Sequence, residues 1–364
     1  MKIKALLLPA LALLFSSCHV GRFVIYNFAG INDHKKFPAG PVAKPAEPFV
    51  FHTGASPGAV QLPKSIKINK SDAGFEEMLD KTKTVAFLII RNDSLLYEHY
   101  DNGYEQESIV ASFSAAKSYV SALVGIAIQE GFIKSVNDPV THYIPELDKA
   151  KFGNVTIEHL LDMRSGIYFN EGYFNPFGDV AKYYYGRNLK KYITRLKVKR
   201  NPGEEFEYIS LNTQLLGMAV ENATGKPLYQ YLEEKLWLPM GMEYDASWSL
   251  DRKNGTPKGF CCLNARARDF AKFGRLYLNM GKWNNRQLVP EAWVRRSMNY
   301  DSVNDGAYSY QWWTIQPGKS YSAIGILGQY IYVHPEKKMV IVRLGKKESA
   351  MPWPNLFEQL AERN

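Results

Sequence analysis

Ser114-Ala115-Ala116-Lys117 stands at the head of the apolar run 118–131, and its residue types suit acyl transfer. The run reads as a buried helix, on which positions three apart share a face. The Ser114 hydroxyl and the Lys117 amine then reach one cavity. A serine hydroxyl is a weak nucleophile until a base takes its proton. A lysine can be that base once burial or a neighbouring cation lowers its pKa. The first turn of a helix entering the core supplies burial and free backbone N–H donors. A Ser-x-x-Lys arises about once by chance in a chain of this length. Most chance copies belong on polar surface, whereas this one opens an apolar helix.

Two further segments carry polar groups suited to such a site. In 201–212 a Pro-Gly turn leads through an aromatic strand to Tyr208, Ser210 and Asn212, just before an apolar helix. Each can relay a proton or donate a hydrogen bond, although Ser210 or Asn212 could also simply cap that helix. In Ser322-Ala323-Ile324-Gly325-Ile326-Leu327-Gly328-Gln329 two glycines precede the strand Tyr330–Val333. They permit close approach to the backbone, and an N–H there could share an oxyanion with the N–H of Ser114. The plainer alternative is a hairpin turn. Gly54-Ala55-Ser56-Pro57-Gly58 matches a nucleophile elbow in letters only. The elbow uses the N–H of the residue after the serine, and Pro57 has none.

The elements that must position these groups are legible in outline. Val85–Ile90 and Leu95–Tyr100 flank the turn signal Asn92-Asp93-Ser94 and predict a hairpin. Helices are expected from about 114, over 156–163 with Thr156 as cap, over 211–223 and 227–236, and over 265–280. Strands follow at Tyr308–Thr314, Tyr330–His334 and Met339–Leu344, then a helix at Pro354–Arg363. Strands at both ends with helices between predict an α+β fold. Its antiparallel sheet would come from N- and C-terminal segments flanked by helices, with a mainly helical insertion at about 140–260 and the site at the seam. Residues 18–70, broken by prolines, read as an extended lead-in, 71–350 as the main domain and 351–364 as a helix packing on the sheet.

The 364 residues, 46% apolar and 13% aromatic, can bury a substantial core. Lys2 and Lys4 precede an apolar stretch, 5–17, too short to span a bilayer. It ends at Ser16-Ser17-Cys18, which resembles a bacterial lipobox with Cys18 lipidated after cleavage. The expected location is the cell envelope, anchored to the membrane through lipid. Loss of 1–17 removes two lysines and lowers the net charge from +9 to +7. Basic and acidic residues alternate without the basic-aromatic stripe that nucleic acid needs. Cys261 and Cys262 are expected as buried thiols, since a bridge between neighbours strains the backbone. No His/Cys/Asp/Glu grouping has metal-ligand spacing, so no metal is expected.

The three constellations, in this order, resemble the serine β-lactamase and penicillin-binding-protein superfamily. The likeness is to its esterase, D-aminopeptidase and 6-aminohexanoate-dimer hydrolase branch. Segments 133–140, 160–166, 215–217, 267–274 and Gly328-Gln329 extend the resemblance over roughly 80–350. It implies the β-lactamase/transpeptidase-like fold and a serine hydrolase without metal or organic cofactor. Ser114 would be the nucleophile, Lys117 its base and Tyr208 the relay to the leaving group. The N–H groups of Ser114 and Gln329 would form the oxyanion hole, with Ser210 or Asn212 as the further polar group. One departure bears on substrate: where many relatives carry Lys-Thr-Gly, this chain has Ile326-Leu327-Gly328, so the cation that pairs with a substrate carboxylate is missing. An ester or small amide is then expected rather than an anionic β-lactam. A ligand-binding module that kept the fold and lost turnover is the alternative.

Overall fold

The computed structural model describes residues 19–53, 60–68, 71–298 and 306–364. Cys18 and the segments 1–17 and Gly54–Gly58 lie outside them. Seven antiparallel strands form the main sheet: β1 (Thr84–Arg91), β2 (Ser94–Tyr100), β3 (Tyr308–Ser309), β4 (Trp312–Gln316), β5 (Ser320–Gly325), β6 (Gln329–His334) and β7 (Met339–Gly345). Their order is β3-β4-β5-β6-β7-β1-β2, so the N-terminal hairpin closes on the last C-terminal strand. Leu88 stands opposite Val342 and Phe87 opposite Arg343 in that junction. The α+β architecture is the expected one.

Both faces of β1 are buried, which explains its unbroken apolar run. Phe87 and Ile89 join Ile341 and Tyr332 in a core with Trp353, Leu356 and Phe357. Leu88 and Ile90 face the larger core between sheet and helices. The helices that matter for the site are α1 (His19–Tyr26), α2 (Ala116–Gln129), α3 (Ile157–Leu161), α4 (Asp179–Tyr185), α5 (Ser210–Thr224), α6 (Ala267–Leu278) and α7 (Trp353–Arg363). Helix α7 covers one face of the sheet and α6 the other. On α6, a Cβ at Gly274 would come 2.6 Å from Val340, so glycine lets the helix approach the sheet. Thr156 caps α3 by accepting from the His159 N–H at 3.2 Å, and Gly225 ends α5 at φ +68°.

Three expectations are corrected. The lead-in is not simply extended. It forms α1, packed on α4, and a strand, Ala39–Val42, that pairs with Ala246–Ser249. That pairing continues through Leu263–Ala265 to Val110–Ala111, directly before Ser114. The expected strand over 308–314 breaks at Tyr310 and Gln311, both at positive φ. The break turns Gln311 inward, where its amide N–H groups reach the Leu160 and Leu161 carbonyls and its Oε1 accepts from Thr213. Its carbonyl accepts from Ser118, so one side chain and its backbone join α2, α3 and α5. Lastly, Cys261 and Cys262 are joined as a disulfide rather than held as thiols. Cys262 lies at φ +75°, and the Trp248 indole N–H reaches the Cys261 carbonyl at 2.9 Å. Such a left-handed turn is a conformation that ordinary chain propensities do not announce.

Candidate active site

Ser114 sits in a short 3-10 turn, Phe113–Ala115, that feeds α2. Phe113 has φ +46°, a left-handed conformation that costs a bulky residue energy and is retained where the surroundings enforce it. The enforcement is visible: the Ser112 N–H donates to the Leu263 carbonyl, and Ala111 pairs with Asn264. The small four-stranded sheet thus sets the turn that presents the hydroxyl.

Lys117 is 1% exposed and makes three contacts through Nζ: Ser114 Oγ at 3.1 Å, Ser210 Oγ at 3.2 Å and the Phe260 carbonyl at 2.7 Å. Burial lowers its pKa from 10.5 to about 8, against the opposing pull of Glu171. A neutral amine has two N–H groups and one lone pair. Ser210 gives its own O–H to Glu171 Oε1 at 2.5 Å, so Ser210 Oγ accepts from Lys117. With Phe260 taking the other N–H, the lone pair is left for the Ser114 proton.

Tyr208 hydrogen-bonds Ser114, and its ring stacks on Trp313 at 5.5 Å and meets Tyr308 edge-on. Burial raises its pKa; the Ser114 bond draws it down and Glu171 pushes it up. The phenol therefore keeps its proton at neutral pH and can donate or relay it. Burial favours the neutral form of both groups, and only for Lys117 is that the form able to accept a proton.

Ser210, not Asn212, meets Lys117. Asn212 is fully buried and turns toward α3, accepting from Ser165 Oγ at 2.7 Å. Sequence reasoning missed Glu171, which accepts from both the N–H and the O–H of Ser210. It lies in the aromatic, glycine-rich loop after Gly166, where no periodicity marks any residue. The Phe260 carbonyl was also unreadable, because a backbone atom leaves no sequence signal.

The third segment is the hairpin that was the plainer alternative. Ile326-Leu327-Gly328 is the turn between β5 and β6, with Leu327 and Gly328 at positive φ. Gln329 lies beyond it, its side chain bonded to the Gly345 carbonyl at 2.7 Å and the Ile326 carbonyl at 3.2 Å. It lines neither cavity that opens on Ser114. The backbone that abuts the nucleophile turn belongs to β5: a Cβ at Gly325 would overlap the Ser112 carbonyl. Buried Arg343 fixes the turn through the Leu327 and Gly328 carbonyls at 3.1 and 2.7 Å. A Cβ at Gly328 would overlap that guanidinium, which explains the glycine.

Ser114 borders two cavities. The first, about 240 Å³, is walled by Phe28, Phe113, Tyr184, Tyr185 and Phe260, with Cys261 in its lining. The second, about 330 Å³ and shallower, is bounded by Tyr208, Trp313, Ile324, Gly325 and Tyr330. Tyr173, Ile326 and Glu348 border both, and among the described residues Glu348 is the sole charged side chain lining either. Among the described residues no three His, Cys, Asp or Glu side chains converge so as to hold a metal.

The Beta-lactamase family model matches residues 72–362. A 6-aminohexanoate-dimer hydrolase of Paenarthrobacter ureafaciens is 30% identical over 339 residues, covering 86% of this chain and 80% of that protein. A solved structure from Bacillus anthracis, assigned provisionally as a 6-aminohexanoate-dimer hydrolase, superposes with a TM-score of 0.78 at 26% identity and covers 91% of each chain. EstCE1, a hydrolase with promiscuous acyltransferase activity, shares the fold at 15% identity, with a TM-score of 0.62 over 79% of this chain and 95% of that one. This chain accordingly belongs to the beta-lactamase family, among its hydrolases similar to 6-aminohexanoate-dimer hydrolase.

Proposed function

We propose that the protein is a serine hydrolase that cleaves an ester or small amide through an acyl-enzyme on Ser114. The observation that carries this reading is Lys117, a buried amine whose pKa is lowered to about 8 and whose Nζ lies 3.1 Å from Ser114 Oγ. In the first half-reaction Ser114 Oγ bonds to the substrate carbonyl carbon as its proton passes to Lys117 Nζ. The oxyanion is held by the N–H of Ser114 and, in place of Gln329, the N–H of Ile326, which follows the close approach of Gly325 to the nucleophile turn. The C–O or C–N bond then breaks, and the leaving group departs with a proton relayed through Tyr208. Water repeats the sequence on the acyl-enzyme and releases the acid.

Tyr208 borders the shallow cleft, so the leaving group belongs there and the acyl group in the aromatic cavity. With Glu348 as the lone charge at the rim, neutral or cationic substrates are favoured over carboxylates. An uncharged analogue of the amide that names the Paenarthrobacter relative is one substrate to test beside short esters. The anchor on Cys18 and the envelope location belong to the same proposal. They rest on the basic start, the apolar stretch and the small residues before Cys18. A fluorophosphonate probe tests the mechanism directly. It should label Ser114 in the wild type and fail on a folded Ser114→Ala protein; labelling elsewhere refutes the assignment.

A further inference from the structure

The wall of the aromatic cavity continues outward as an exposed apolar rim. Phe28 and Phe174 line the cavity with Ser114, yet they are 52% and 81% exposed, and their rings meet at 5.6 Å. Beside them stand Val24 and Ile25 on the outer face of α1, 73% and 61% exposed, and Phe177 at 78%. These residues sit on neighbouring segments: α1 packs on α4, and His19 bonds the Pro176 carbonyl next to Phe177. Large exposed apolar residues gathered in one place mark a surface that meets another apolar phase.

The sequence says which phase. The apolar stretch 5–17 and Cys18 run directly into α1 at His19. At about 1.5 Å per residue, Val24 and Ile25 lie roughly 10 Å along the helix from that point. The lipid anchor proposed above at Cys18 would bring the rim to the bilayer. We propose that this rim docks on the membrane and that the aromatic cavity draws an apolar acyl chain from the lipid phase. The substrate is then an ester or amide of a membrane-partitioned acyl group. The substrate half rests on Ser114 being the hydrolytic nucleophile; the docking half does not.

The test uses the full chain on phosphatidylcholine vesicles with brominated acyl chains. The indole introduced by Phe177→Trp should be quenched beyond the wild-type background, in low and in high salt alike, because the contact is apolar. No added quenching, or quenching lost in high salt, overturns the docking. The variant Val24→Ser/Ile25→Ser/Phe177→Ser touches no cavity residue. It should hydrolyse a long-chain ester held in the vesicles roughly tenfold or more slowly, with unchanged kcat/KM on a short water-soluble ester. An equal loss on both esters, or on neither, overturns the delivery route. Ser114→Ala should abolish both hydrolyses and leave the quenching intact. That separates failure of the docking from failure of the hydrolase reading.

Discussion

Glu171 offers a quantitative handle on Lys117. The amine acts as base only when neutral, so kcat/KM should rise with pH through its pKa of about 8. At pH 7, one unit below, about a tenth of the molecules are competent. Hydrogen bonds of 3.2 and 2.5 Å, through Ser210, separate the amine from the Glu171 carboxylate. At about 6 Å and an effective dielectric of about 20, their attraction is ~3 kcal/mol, or about two pH units. Glu171→Gln removes the charge that favours the ammonium, so Lys117 should deprotonate at lower pH. The acid limb of kcat/KM on a short ester should move down by about two units. The plateau should fall as well, because glutamine has one acceptor oxygen where Glu171 uses two, one for the N–H and one for the O–H of Ser210. Limb position and plateau height are read separately from one pH series. A limb that stays put or moves up means that Lys117 is not the group whose deprotonation permits attack.

Lys117→Arg should be nearly inactive in a folded protein, because a guanidinium cannot accept the serine proton; near-full kcat refutes the base assignment. Tyr208→Phe should lose roughly a hundredfold in kcat and less than Lys117→Arg, measured on an ester and an amide in parallel. Cephalosporins should be hydrolysed roughly ten- to a hundredfold less efficiently than the best short ester. Their carboxylate finds no cation among the described residues lining either cavity and forgoes a charge-assisted bond of about 1.5–3 kcal/mol. Cys18→Ser should shift the protein from the membrane fraction to the soluble one, whereas wild type should resist a high-salt wash.

Those parts of the fold governed by period were open to sequence reasoning. The β1–β2 hairpin and α2, α5, α6 and α7 fell within a few residues of their expected bounds, because their apolar patterns are long and their turn signals sharp. The meeting of Ser114, Lys117 and Tyr208 was legible because they sit at or just before element starts, where side-chain type and spacing decide who can meet. What was hidden depends on irregular backbone. Glu171 reaches Ser210 only through a loop built on Asn170, which accepts from the Gly172 N–H and donates its own N–H to Asp179. Phe260 enters through a carbonyl set by the Cys261–Cys262 turn. Gln311 broke an apparently continuous strand because its buried amide groups had partners on α3 and α5. The choice between Ser210 and Asn212 turned on helix phase, which two residues of spacing cannot fix before the first turn is known.

The indirect placing of Glu171 also explains why a carboxylate can sit in this site at all. Lys117 needs its burial, since that is what lowers its pKa, but a buried amine with no acceptors would pay for desolvation without an oriented lone pair. A carboxylate in direct contact would orient it strongly. At about 4 Å and the same dielectric of ~20, however, the attraction is about 4 kcal/mol, roughly one pH unit more than through Ser210. About tenfold fewer amines would then be neutral at pH 7, and one N–H would be claimed by the acid. The interposed Ser210 lessens the first penalty and removes the second. It takes the carboxylate's acceptor capacity through its own O–H and N–H, and offers Lys117 a neutral oxygen. The Phe260 carbonyl supplies the second acceptor without any charge. Two neutral acceptors and one displaced carboxylate thus orient the amine while leaving its proton affinity low enough for catalysis.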